Sequence, residues 1–201
     1  MKKLVIAPHI DDETVGCSGV LDKDTYVFFC GVDEFHEITS KDRLKELENV
    51  AKHFDFTYAV DTTTVVNRYV REKMIDGFQH IINKFQPDRI YIPYPSYNQD
   101  HQNVYDAAMI ALRPHDRNFF VKKVLVYEGI GAFQWYKTDY EVNHFVEIDM
   151  ERKIKGYLLH ESQVRGHRSC VHVRALAILR GSQIGVGHAE GYIIKRWVDD
   201  T

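Results

Sequence analysis

Five short apolar runs, set apart by longer amphipathic segments, limit this chain to a small set of folds. Lys3–Ala7, Thr25–Cys30, Thr57–Val60, Arg89–Pro93 and Lys123–Tyr127 are rich in β-branched and aromatic residues and read as buried strands. Between them, Leu44, Leu47, Ala51 and Phe54 recur at helical spacing, as do Met74, Ile75, Phe78, Ile81, Ile82 and Phe85. The first of these helices is predicted to start at Ser40, and another to run from Gln99–Asp100 to about Arg113. Strands alternating with helices predict a Rossmann-like, doubly wound α/β fold with a mostly parallel sheet.

Past residue 128 the pattern weakens. Phe145–Ile148 and Tyr192–Arg196 read as strands, and Glu151–Leu159 and Arg174–Arg180 as helices. They predict a smaller C-terminal α/β extension, so that residues 1–201 form a single domain. Residues 1–128 are its parallel core and 129–201 a subdomain over the carboxyl ends of the strands. A length of 201 residues fits that plan, and no linker or repeat divides the chain.

The formal net charge of −3 gives no global reason to expect nucleic acid or an anionic membrane as partner. The apolar run at the N-terminus is too short for a signal-peptide core or a membrane span, which predicts a cytoplasmic protein. Cys17, Cys30 and Cys170 form no CxxC, and the odd count argues against structural disulfides. A homo-oligomer is compatible with all of this.

The chemistry concentrates where the first run ends, in Pro8-His9-Ile10-Asp11-Asp12-Glu13. Adjacent carboxylates repel, so clustering them costs folding free energy unless something positive sits among them. A lone acidic turn is usually a solvated one; at the end of a buried strand it points instead to a divalent cation. In a doubly wound sheet the fourth strand crosses back beside the first, and the loops after both flank the switch point where such folds bind ligands. The loop after the fourth run carries Tyr94-Pro95-Ser96-Tyr97-Asn98-Gln99-Asp100-His101. Catalytic zinc usually takes three protein ligands. His9 and Asp12 can supply two from one strand-to-helix turn and His101 the third from the facing loop. Asp11 is then free as a general base. Glu13, near a helix N-terminus, either meets the helix dipole or supports a ligand.

These residues carry a resemblance. Pro8-His9-Ile10-Asp11-Asp12-Glu13, followed by Gly16 and Gly19, resembles the PHPDDE-xxxGxxG signature of the PIG-L/LmbE family of zinc-dependent de-N-acetylases. Asp100-His101-Gln102-Asn103-Val104 resembles the family's second motif, HxDHxxV. Weaker echoes are Arg43-x-x-Glu46, Ser162-Gln163, Arg180-Gly181 and Ala189-Glu190. The resemblance implies Zn²⁺ on His9, Asp12 and His101, with Asp11 as base, in agreement with the ligand chemistry. It also implies a small N-acetylated amino sugar or glycoconjugate as substrate, losing its acetyl group. Arg43 resembles a substrate-binding residue; the alternative is a salt bridge to Glu46.

Two positions depart from the pattern. Ile10 replaces a proline, and Asn98 stands where many members have a histidine assigned to the oxyanion or leaving group. Asparagine can donate a hydrogen bond but cannot deliver a proton, which makes Asn98 a catalytic candidate of restricted capacity. His36, Tyr97 and His188 are further candidates for substrate contact. Each has a bland alternative as a loop or core residue, as do Cys17, His144 and His160. Arg165-Gly166-His167-Arg168 is the one locally basic stretch, either an anion clamp or a solvated loop. Two other functional readings stand beside the deacetylase. One is a silent sugar- or metal-binding module, which Asn98 allows. The other is a two-His-one-carboxylate iron enzyme, which shares the ligand set but favours a β-rich fold. A dinucleotide-dependent dehydrogenase lacks its GxGxxG after the first run.

Overall fold

A computed structural model describes residues 1–32, 38–130 and 140–199. Five strands run parallel: β1 (Lys3–Ala7), β2 (Thr25–Phe29), β3 (Thr57–Val60), β4 (Arg89–Pro93) and β5 (Lys123–Tyr127). Two more, β6 (His144–Glu147) and β7 (Ala189–Trp197), complete a seven-stranded sheet of order β3-β2-β1-β4-β5-β7-β6. The chain therefore has the α/β architecture expected, with the switch point between β1 and β4.

Strand alternation divides the core in two. Leu4, Ile6, Ile90, Ile92, Val124 and Val126 face one cluster, together with Met74, Phe78 and Ile82 of α3 (Arg71–Phe85) and Val104, Ala107 and Ala108 of α4 (Gln99–Ala111). Val5, Ala7, Val27, Phe29, Tyr91, Leu125 and Tyr127 face the other, covered by Leu47, Val50, Ala51 and Phe54 of α2 (Ser40–Phe54). Both faces of β1, β4 and β5 are thus buried, which is why those runs are largely apolar, while β3 at the sheet edge is only partly covered.

Local signals set the helix ends. Thr39, one residue before the expected start, caps α2 in a reciprocal capping box with Asp42, and Asp55 ends the helix in the left-handed conformation at φ 61°. Asn98 caps α4 by accepting from the backbone N–H groups of Asp100 and His101. The six-residue α1 (Asp12–Cys17) is buried along its whole length, with Glu13 in its first turn as expected.

In the C-terminal third, β6 and the helix Met150–Leu158 have the expected length shifted by one residue, whereas the helix Cys170–Ser182 and β7 are longer than their sequence pattern indicates. β7 starts at Ala189 because it is paired on both sides, antiparallel to β5 and to β6. The sheet therefore runs through both segments of the expected 1–128 and 129–201 division. α5 (Met150–Leu158) and α6 (Cys170–Ser182) instead pack on α1, where Ile154, Tyr157, Val173 and Ala177 meet Val15. Glu190 ties these pieces together: it accepts from Ser18 N at 2.8 Å, Ser18 Oγ at 2.6 Å, Gly19 N at 3.0 Å, Tyr192 Oη at 2.7 Å and Lys153 Nζ at 2.6 Å. All three cysteines are free. Among the described residues, no helix is long and apolar enough to cross a membrane.

Gly16 lets α1 lie directly on the end of β5: a Cβ there would fall on the Tyr127 ring and 2.7 Å from the Glu128 carbonyl oxygen. Tyr127 cannot yield, because it is fully buried and its hydroxyl donates to Ile6 O at 2.9 Å. Gly16→Ala is expected to destabilise the fold by about 1–3 kcal/mol, the range for overpacking a core. Urea denaturation checks this, with the midpoint falling and the slope unchanged.

Candidate metal centre

The turn from β1 into α1 is built by its own polar groups. His9 N donates to Asp12 Oδ2 at 2.9 Å, and Asp11 N donates to His9 O at 3.1 Å and to Glu13 Oε2 at 3.0 Å. The Asp11 carbonyl accepts from Thr14 N at 3.1 Å and Val15 N at 3.0 Å. These bonds hold Asp11 at φ 156° and ψ −22°, a conformation L residues rarely adopt.

His9, Asp12 and His101 come together, all buried, with one ligand atom of each within 4.8 Å of the others. Asp12 Oδ2 lies 3.1 Å from His9 Nδ1 and 3.3 Å from His101 Nε2. Donors about 2.0–2.1 Å from a tetrahedral zinc are about 3.3 Å apart, so these residues fit such an ion in kind and in spacing. His9 is oriented from behind: its Nε2 meets Asp100 Oδ2 at 3.0 Å, which leaves Nδ1 facing the cluster. Asp100 is fully buried, accepts also from Asn67 N at 2.8 Å, and keeps Oδ1 without a partner. Tyr69 donates to Pro8 O and stacks on the His9 ring.

The electrostatics favour positive charge at this point. Burial disfavours the His9 imidazolium, but hydrogen bonds to Asp100 and Asp12 and the charges of Asp12 and Asp11 outweigh it, raising its pKa to about 10. Burial likewise disfavours the Asp12 carboxylate, yet the adjacent histidines hold its pKa well below the usual range. A cation shared by these groups meets the same field.

Asp11 is buried beside this group, and its Oδ2 accepts from Arg168 Nη1 at 3.1 Å. Burial pushes its pKa up, the Arg168 charge opposes this, and Asp12 adds to it. Arg168 also donates to Gln163 Oε1 at 3.0 Å. Of the basic stretch 165–168, it is this residue that reaches the cluster.

The other candidates fall in different places. Arg43 is fully buried, and its guanidinium donates to Ile10 O, Glu46 Oε2 and Ser162 Oγ. The salt bridge to Glu46, one of the two readings of Arg43, is present, and the side chain braces the β1–α1 turn. Asn98 is exposed, and its Oδ1 is engaged as the α4 cap. Tyr97, 63% exposed, stands on the same loop. His188 is half-buried before β7, its carbonyl accepting from Ile148 N at 3.2 Å. His36 lies outside the described residues. Sequence reasoning gives Asp100 no role although the aspartate of the second motif falls on it, and Tyr69 and His160 have no local feature that distinguishes them from ordinary core or loop positions.

Removing the Arg168 charge should raise the Asp11 pKa further, since that charge favours the ionised carboxylate. Carbon-13 NMR titration of the Asp11 carboxyl in Arg168→Ala checks the direction; an unchanged or lower value would rule the pairing out.

Three solved structures share this fold at low identity. The N,N'-diacetylchitobiose deacetylase from Pyrococcus horikoshii is 22% identical, with a TM-score of 0.75, covering 97% of this chain and 84% of that one. GalB, the 4-carboxy-2-hydroxymuconate hydratase from Pseudomonas putida KT2440, is 15% identical, with a TM-score of 0.79 and full coverage of both chains (100% and 100%). The zinc-inhibited form of teicoplanin deacetylase Orf2 is 14% identical, with a TM-score of 0.76 and coverage of 100% of each chain. No curated protein matches in sequence. The family model PIG-L, GlcNAc-PI de-N-acetylase, matches residues 4–112, a span that holds both loops of the cluster. Because that match takes in more than half of the chain, the protein belongs to the PIG-L family.

Proposed function

We propose that this protein is a zinc-dependent hydrolase that removes the acetyl group from an N-acetylated amino sugar or glycoconjugate. The observation that carries the reading is Asp11, a buried carboxylate beside the three-donor group but outside it. A site that only binds metal gains nothing from this extra charge, whereas hydrolysis needs a base there. A shared fold does not select the reaction, since GalB is a hydratase on the same architecture.

His9, Asp12 and His101 would hold the ion, which when bound supplies Lewis acidity to the amide carbonyl and lowers the pKa of a water. Asp11 accepts the proton of the attacking water, then returns it to the departing nitrogen, leaving acetate and a free amine. Its raised pKa suits a carboxyl that must both take and give a proton. Arg168 holds Oδ2 and so fixes the direction of the other oxygen. Asn98, with Oδ1 committed to the helix cap, offers only its amide hydrogens to the developing oxyanion. Tyr97 presents a ring to the sugar from the same loop.

Acetate release from N-acetylglucosamine conjugates and nucleotide sugars, with and without chelator, is the direct test. Zinc should be titrated, because a relative crystallised in a zinc-inhibited form. Asp11→Ala is expected to keep its metal and lose about 10²–10⁴ in kcat; a metal-replete variant at near wild-type rate would sink the mechanism. His101→Ala should lose the metal by elemental analysis, which together with oxygen uptake also excludes or supports the iron reading. Asp100→Ala should weaken metal binding about 10–100-fold by calorimetry, through loss of His9 orientation.

A further inference from the structure

The PIG-L reading leaves one buried pair without a task. Glu13 and His160 are both fully buried, and His160 Nε2 meets Glu13 Oε1 at 2.9 Å. Thr14 Oγ1 donates to the same oxygen at 2.7 Å, and the other oxygen, Oε2, accepts from Asp11 N at 3.0 Å. His160 comes from the end of α5, 147 residues along the chain from Glu13. Its Nδ1 is buried with no partner. Nε2 therefore carries the hydrogen given to Glu13, and the polar contacts of the ring lie on that side, to Glu13 and Thr14. A ring placed only to fill the core has no need of a stranded nitrogen; buried unsatisfied groups persist where they serve something else.

What they serve is the backbone of Asp11. Its φ of 156° is unfavourable and needs outside support, and the Glu13 carboxylate is the side-chain group that holds its N–H. Glu13 in turn is a buried anion beside Asp11 and Asp12, stable only while its donors stay in place. We infer that His160 is a positioning residue: by donating to Glu13 it locks the Asp11 peptide in its strained conformation and so aims the Asp11 carboxylate at the site. It touches neither the three metal donors nor the exposed loop of Tyr97. Its effect is therefore on the rate of the chemical step, not on metal content or substrate binding. The kinetic consequence rests on the deacetylase reading; the conformational one does not.

The test compares His160→Gln with His160→Asn. A glutamine Nε2 reaches the position of the imidazole Nε2, whereas an asparagine amide reaches only that of Nδ1. Amide hydrogen exchange at Asp11, read by NMR, should be about tenfold faster in His160→Asn and near wild type in His160→Gln. With an active substrate, kcat should fall about 10–100-fold in His160→Asn with KM and zinc stoichiometry unchanged, and glutamine should restore most of it. Unchanged Asp11 exchange in folded His160→Asn overturns the inference, as does equal loss in both variants. Should the asparagine variant fail to fold, Glu13→Ala, which removes the acceptor, must give the same faster exchange, and normal exchange there is equally fatal. A wild-type protein that releases no acetate defeats the deacetylase reading, while the exchange measurement still decides the role of His160.

Discussion

Everything at the carboxyl edge of this sheet follows from one burden, the burial of four carboxylates in a single corner. Asp11, Asp12, Glu13 and Asp100 are each 3% exposed or less, apart from Asp12 at 6%. Unpaired, such charges would be prohibitive away from water. Each is matched by a donor from a different part of the fold: Arg168 for Asp11, His9 and His101 for Asp12, His160 for Glu13, and the Asn67 N–H with His9 for Asp100. The corner holds together only if β1, α4, the loop before α3 and the α5–α6 connection all arrive there. Its polar contacts are in this sense a check on the whole topology.

The same arrangement separates two roles among neighbouring carboxyls. Asp12 lies between two imidazoles, and their charge keeps it ionised. Asp11, one residue away, is held toward an arginine by a strained peptide, and burial dominates its behaviour. Environment, not residue type, makes one a candidate metal donor and the other a candidate base. Buried structural pairs elsewhere, Lys153 with Glu190 and Arg180 with Glu128 at 2.6 Å each, secure the C-terminal elements against the core. They use the same chemistry away from the three-donor group, which shows why pairing alone does not mark a functional site.

Much of this was legible locally. The parallel strands could be read because β1, β4 and β5 are buried on both faces and β2 at alternate positions, so their apolar runs are nearly unbroken. β7 was harder: Gly191 interrupts its apolar pattern, and its length is set by pairing on two sides. His9, Asp12 and His101 were recognisable because metal donors must be of few residue types and because the switch point joins their loops. Arg43 stayed ambiguous, since a helical arginine reads the same whether it faces a sugar or, as here, Glu46 and a buried carbonyl. His160 looked like any core histidine, because its partner lies far away in the chain.

By itself the sequence determined the α/β class, the site of the switch point and the donor types available for a cation, all of which depend on local periodicity or on the chemistry of single side chains. The tertiary structure alone decided which groups stand behind those donors: Asp100 on His9, Arg168 on Asp11, His160 on Glu13 and Arg43 on the turn. The reason is physical. A buried charge is stabilised by whatever donor lies within about 3 Å, and that proximity is set by the packing of remote elements, which no local pattern records.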